Sequence, residues 1–377
     1  MSSKSTSINK LRTNAKKIEE QQIKRIQIKS EWYNLRPILG CANWAIFYLL
    51  LGGREIGKSY SVTNFFVDQW KNKGIPFTWL RLTEAASRKL LMNNAEKLID
   101  PDLRRKYNLD LITSGNNVYE VVKRTEPDEN GKTKVLEKKL MARVYAISTF
   151  YNDKGSIFDK DFLNDPNMRY NIAIDEFQRE EGEKNTFDIT YSLVNQLENL
   201  VRSTKDRIKI FFLGNTLEES SDILCAFNFI PEKWGVFKLK KKRAVIHNIA
   251  PTDAYKARRK GTIADILMPT ASTFTNQIKT DNTLITKQRL REPSAIIKFR
   301  KDPSTWFTVW DSNIVRKYNN EKLTNIYAMR PYLDSPFSVD IQKTIMTLFD
   351  TRSLMFSNLI TFKQFQKQMS LLKPRGA

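Results

Sequence analysis

Residues 46–70, IFYLLLGGREIGKSYSVTNFFVDQW, decide the fold. The run Ile46 to Leu51 is continuously apolar and predicts a buried strand, while Val62, Phe65, Phe66 and Trp70 recur at helical spacing over Ser59 to Lys71. Between them, Gly52-Gly53-Arg54-Glu55-Ile56-Gly57-Lys58-Ser59 fits the pattern G-x-x-x-x-G-K-[ST]. Glycines let the backbone wrap closely round phosphates, so that N–H groups and the positive end of the following helix face them. Lys58 is placed to reach the β- and γ-phosphates and Ser59 to ligate Mg²⁺. Residues 52–60, through Tyr60, are therefore the expected nucleotide-binding segment, with ATP and Mg²⁺ as cofactors.

Working outward, Gly74 and Pro76 stop the helix and Phe77 to Leu82 predicts a second buried strand. Such a site needs a carboxylate on a neighbouring strand to hold the metal. Ile172-Ala173-Ile174-Asp175-Glu176 supplies Asp175 for that role and Glu176 to polarise the attacking water. An acidic loop after a core strand is the plainer alternative. Ile208 to Leu213 predicts another strand, ending in Gly214-Asn215-Thr216; Asn215 is a candidate γ-phosphate sensor or, equally, an Asx-turn residue. Arg202, Lys205 and Arg207 follow the amphipathic stretch Ser192 to Val201, as cations meeting a helix C-terminus or as an arginine finger for a neighbouring subunit. Asn130-Gly131 predicts a hairpin joining 118–124 to 135–147 at a sheet edge. The alternation of strands and helices is α/β.

The chain has 377 residues, with 22 Phe, 13 Tyr and 7 Trp, enough apolar surface for packed cores and against global disorder. Lys and Arg number 63 against 41 acids, a net charge of +22, and residues 231–377 hold 27 of the cations and only 11 of the acids. A polyanion is the expected partner, with solubility as the bland reading. Lys238, Lys240, Lys241, Lys242, Arg243, Lys256, Arg258, Arg259 and Lys260 are the candidate contacts to a nucleic-acid backbone. Cys41, Cys225 and His247 are too few for a zinc site or a disulfide framework, so a metal must rely on oxygen ligands. No apolar run is long enough to span a bilayer, and MSSKSTSINK carries no secretory signal. Four segments are expected: a helical arm over 1–35, a P-loop ATPase domain over 36–230, a basic linker subdomain over 231–275 and a C-terminal nucleic-acid-binding domain over 276–377.

GGREIGKS, IAIDEFQRE and LENLVRSTKDRIKIFFLGNT together resemble the DNA-packaging motor ATPases of small podophages with terminal-protein-capped genomes, over roughly residues 45–270. The resemblance implies a RecA-like ATPase domain of the additional-strand, conserved-glutamate type, a linker subdomain and a smaller α+β, RNase H-like domain that has lost nuclease activity. It implies a homopentameric ring that drives double-stranded DNA into a procapsid, in the host cytoplasm and transiently at the portal vertex, with the portal and a structural RNA as further partners and no membrane. By position it makes Lys58, Ser59, Asp175 and Glu176 the phosphate, metal and catalytic residues, Arg54 the arginine inside the loop, and Arg202 and Lys154 trans-acting cations. Glu55 departs from the small residue expected after that arginine.

The C-terminal region shows no compact D-x-D or E-x-x-K group, although Asp302, Asp311, Asp334 and Asp340 are separate carboxylates able to converge. Other readings of the same loop are a helicase or DNA-segregation ATPase, a small-molecule kinase, and a scaffold that binds ATP without using it.

Overall fold

The structure is a computed structural model and describes residues 32–127, 133–148, 165–167, 169–177, 190, 192–194, 197, 207–215, 222–231, 233–267, 283–299, 303–329, 336–370 and 372. Most of the predicted N-terminal arm, Lys154, Arg202 and Lys205 lie outside the described residues. The chain divides into two units, one of residues 1–218 and 231–278 and the other of 219–230 and 279–377.

The first unit is built on nine strands: β1 (Phe47–Leu51), β2 (Phe77–Arg81), β3 (Leu111–Ser114), β4 (Asn117–Arg124), β5 (Val135–Ala146), β6 (Tyr170–Asp175), β7 (Ile208–Gly214), β8 (Gly235–Leu239) and β9 (Ala244–Asn248). They lie in the order β3-β4-β5-β2-β6-β7-β1-β9-β8. From β5 to β9 every neighbouring pair is parallel, and the outer pairs β3–β4, β4–β5 and β8–β9 are antiparallel. Parallel strands are covered on both faces, which is why the central ones read as near-continuous apolar runs. All six residues of β6 are buried, and so are four of the five in β1.

Helices α1 (Arg36–Cys41), α2 (Lys58–Lys73), α3 (Glu84–Ala95) and α4 (Pro101–Tyr107) precede the hairpin, and α5 (Asp253–Arg259) and α6 (Ile263–Leu267) follow β9. Helix α2 buries Val62, Phe66, Val67 and Trp70, one face at helical spacing. Phe66 packs its ring 5.1 Å from Phe77 and 5.3 Å from Phe211, tying the helix to β2 and β7.

Two expectations are corrected by the strand order. The strand carrying the acidic pair does not neighbour the strand that enters the phosphate loop, because β7 stands between β6 and β1. The expected antiparallel hairpin of β4 and β5 does lie at a sheet edge; Phe77–Arg81 of β2 run parallel to Ala142–Ala146 of β5, and β3 adds an outer strand to β4. Residues 231–275, read as a basic linker subdomain, contribute β8 and β9 to the same sheet, with Phe47 to Leu51 of β1 in register with Ala244 to Asn248. KLKKKRAVIHN spans the end of β8, the basic turn 240–243 and the whole of β9.

The second unit has five strands in the order β13-β10-β11-β12-β14, with β10 (Pro293–Lys298), β11 (Trp306–Trp310), β12 (Ile314–Lys317), β13 (Ile326–Ala328) and β14 (Met355–Phe356). The expected hairpin of β10 and β11 is present and antiparallel, β12 extends it antiparallel, and β13 runs parallel to β10. Helices α7 (Pro336–Asp350) and α8 (Leu359–Ser370) close an aromatic core in which Phe365 lies 5.2 Å from Phe307 and 5.3 Å from Phe299. Asp311 accepts hydrogen bonds from the N–H groups of Arg291 and Glu292 and so braces a turn; Asp302 and Asp334 lie outside the described residues.

Among the described residues no helix is long and apolar enough to cross a membrane.

Candidate functional site

Every parallel strand of the first unit ends at the same edge of the sheet, and ligands of open α/β sheets bind outside that carboxyl edge. Four of these strand ends supply the site. β1 runs into the phosphate loop, β6 ends at Asp175, β7 ends at Gly214 before Asn215, and β2 ends at Arg81. They surround a cavity of about 480 Å³ lined by residues 54–60 together with Arg81, Asp175, Glu176, Leu213 and Asn215. Arg54, Glu55, Ile56, Gly57, Lys58, Ser59 and Tyr60 all reach it, while Gly52 and Gly53 form the base of the loop behind them.

The loop is shaped for anions. Gly57 has φ of +93°, and a side chain there would press on Trp32 and on the backbone nitrogen of Tyr33. No side chain caps the N-terminus of α2, so its first N–H groups are left for a ligand. From behind, the Tyr33 N–H donates to the Ile56 carbonyl at 2.9 Å. Lys58 donates from Nζ to the carbonyls of Gly52 and Gly53, each at 2.8 Å, which holds the ammonium at the floor of the loop. Burial pushes its pKa down to about 8, against the pull of Asp175 and Glu176.

Asp175 is buried, and desolvation raises its pKa while the neighbouring Arg81 opposes the shift. Arg81 is the residue that sequence reasoning missed. Its Nη2 lies 2.8 Å from Asp175 Oδ2 and its Nη1 pairs with Glu176 Oε2, so one guanidinium bridges both carboxylates. The available signal was a lone cation closing the apolar strand FTWLR. Glu176 sits at φ of +53°, with its N–H donating to Leu213 O at 2.9 Å, so the chain turns sharply as it leaves β6 and carries the carboxylate to the mouth.

This arrangement of strands and helices is also found in solved structures. The bacteriophage Phi-29 viral genome packaging motor assembly matches over 91% of this chain and 100% of that one, with a TM-score of 0.60 at 18% identity. The fold is that of a packaging-motor chain. The Phi-28 gp11 DNA packaging motor matches over 92% of this chain and 99% of that one, with a TM-score of 0.55 at 16% identity. No family model and no curated protein matches the sequence.

On this fold the basic candidates separate into two groups. Lys240, Lys241, Lys242 and Arg243 form an exposed turn between β8 and β9, with Lys238 half-buried on β8. The Ile46 N–H donates to Arg243 O at 2.8 Å, so this turn lies at the end of β1 remote from the phosphate loop. Lys256 and Lys260 are exposed on and just after α5. Arg258 and Arg259 depart from expectation. Arg259 is buried and pairs through Nη1 with Glu55 Oε2 at 2.9 Å, and the Arg258 guanidinium lies 3.6 Å from the centre of the Trp32 ring. Arg259 is buried and takes a carboxylate partner from the phosphate loop, which withdraws it from any nucleic-acid backbone, while the half-buried Arg258 stacks on Trp32. Arg207, one of the finger candidates, sits before β7 at the end opposite the cavity and donates to the carbonyl of Asp165.

Behind the loop, Tyr33 and His247 share a buried hydrogen bond of 3.2 Å between the hydroxyl and Nδ1. Desolvation lowers the His247 pKa to about 3, so the native ring stays neutral where the unfolded chain, near 6.5, takes up a proton. The stability this supplies is fully present above pH 6.5 and is lost as pH falls toward 3. From pH 8 to pH 5 it amounts to about 2 kcal/mol. His247→Gln, which keeps an acceptor for Tyr33, is expected to flatten the urea midpoint over that interval relative to wild type. Parallel midpoint profiles for the two proteins would remove His247 as the source.

Proposed function

We propose that this chain is the ATPase of a phage DNA-packaging motor, coupling ATP hydrolysis to translocation of double-stranded DNA into a procapsid. The observation that carries the reading is the convergence of the phosphate loop, Asp175, Glu176 and Arg81 on one cavity, in a fold shared with two genome-packaging motors. The position of β7 between β1 and β6 supports the additional-strand, conserved-glutamate type of RecA-like domain. In the second unit, three consecutive antiparallel strands with a fourth parallel to the first support a nuclease-like α+β fold, and Asp311 is committed to a turn rather than to a metal site.

Residues 54–59 would bind the polyphosphate, Lys58 exchanging its loop carbonyls for phosphate oxygens. Ser59 and Asp175 are hard oxygen donors on the cavity wall and fit Mg²⁺, which when bound neutralises phosphate charge. Glu176 takes the proton of the attacking water once Arg81 releases it, and Asn215 orients the γ-phosphate side of the cavity. Arg54 lines the same wall, and Arg202 and Lys154 complete the site of a neighbouring subunit. We further infer a homopentameric ring that works in the host cytoplasm at the portal vertex, with the exposed turn 240–243 and Lys238, Lys256 and Lys260 holding DNA, or a structural RNA, through phosphates.

The test is ATP hydrolysis by the full chain over a protein concentration series, with and without duplex DNA. Hydrolysis that rises more steeply than protein concentration and is stimulated by DNA is the expected result. Mixing Arg202→Ala with Glu176→Gln subunits should restore part of the rate at mixed interfaces. Transfer of phosphate to a small acceptor, or hydrolysis proportional to protein and indifferent to DNA, overturns the motor reading.

A further inference from the structure

Glu55 is an unfavourable residue for its place. It adopts φ of +62°, a conformation that costs a side chain but not glycine. It also brings a carboxylate into a loop that lines a cavity with Arg54, Lys58 and a bare helix N-terminus, features that all favour anions. A negative side chain left facing that cavity repels a polyphosphate. The structure shows where the carboxylate goes: Oε2 lies 2.9 Å from Nη1 of Arg259, whose side chain is only 10% exposed whereas that of Glu55 is 69% exposed. Arg259 is the last residue of α5, and the segment that leads from β9 into that helix is fixed to the root of the loop. The Ile249 N–H donates to Leu51 O at 2.8 Å, and the Ile249 side chain lies where a Cβ on Gly52 would meet it at 3.3 Å. The pair thus links the phosphate loop to α5 across 204 positions of sequence.

We propose that Arg259 is a positioning residue of the phosphate loop, holding the Glu55 carboxylate away from the nucleotide's phosphates and fastening the loop to α5. Nucleotide affinity is then set partly by a cation that never touches the nucleotide. The effect on ATP rests on the nucleotide-site reading above; the fastening of the loop does not.

The experiment compares the full-length wild type, Arg259→Gln, Arg259→Lys, Glu55→Gly and the double variant Glu55→Gly/Arg259→Gln. ATP affinity is read by calorimetry, and exchange of the Ile56 and Gly57 amides by hydrogen–deuterium exchange without nucleotide. Arg259→Gln is expected to weaken ATP binding about tenfold by leaving Glu55 uncompensated, and Arg259→Lys by less. The double variant is expected to return to within about twofold of Glu55→Gly, because the glycine removes the charge that Arg259 controls. Faster exchange at Ile56 and Gly57 in Arg259→Gln reports the loosened loop. A double variant as weak as Arg259→Gln assigns Arg259 a packing role only and overturns the proposal, as does an Arg259→Gln protein with wild-type affinity and exchange. If wild type binds no ATP while Arg259→Gln still loosens the loop, the nucleotide reading and the charge-control half of the proposal fall together, and the fastening stands.

Discussion

Glu176→Gln is expected to lower ATP hydrolysis by about 10²- to 10⁴-fold, the usual contribution of a positioned general base. ATP affinity should stay within about threefold of wild type, because the phosphate contacts are made by other residues. The substitution is nearly isosteric, and the amide oxygen can still accept from Arg81, so the turn that follows β6 keeps its shape. What the amide cannot do is take a proton from water. Single-turnover hydrolysis beside equilibrium nucleotide binding separates the two effects. A variant that hydrolyses ATP at the wild-type rate would deprive Glu176 of its role and leave Asp175 alone in the acidic pair.

Arg81→Leu is expected to destabilise the first unit by about 3–5 kcal/mol, the cost of leaving one partner of a buried ion pair behind. Asp175 is 8% exposed and Arg81 17% exposed, so solvent screens the pair little. Burial already pushes the Asp175 carboxyl upward, and without the guanidinium it rises further. The sign of the pH dependence follows. A carboxyl whose native pKa lies above its unfolded value destabilises when ionised, so the defect of Arg81→Leu should be larger at pH 8 than at pH 5. Adding Asp175→Asn should recover much of the loss by removing the buried charge. Urea denaturation of the two single variants and the double at both pH values checks this, and a wild-type midpoint for Arg81→Leu would show that Asp175 has no need of Arg81.

The two variants probe opposite ends of one device. Arg81 compensates the buried Asp175 and at the same time holds Glu176, so the carboxylate proposed as the general base is engaged. On the proposed reading, an attacking water gains its base only when that contact is exchanged for another. The arrangement keeps two adjacent acids in a cavity proposed to admit a polyphosphate, which a pair of free carboxylates would oppose.

The basic residues show a limit of reading charge from composition. KLKKKR and KARRK look alike as strings, yet the first forms an exposed turn and the second places Arg258 and Arg259 against Trp32, Glu55 and the loop. Nothing in the local spacing distinguishes a cation bound for solvent from one bound for a carboxylate distant in sequence.

What the sequence by itself determined is local. The strand, the glycine loop and helix α2 are contiguous, their apolar periodicities differ, and the loop pattern carries its chemistry in eight consecutive residues. Asp175 and Glu176 were legible for the same reason, as two acids closing an apolar run. The tertiary structure alone decided that β7 separates β1 from β6, that Arg81 bridges the acids, and that Arg259 holds Glu55. Strand order and long-range ion pairs are set by which faces bury together and which charges are desolvated side by side, and neither leaves a periodic trace along the chain.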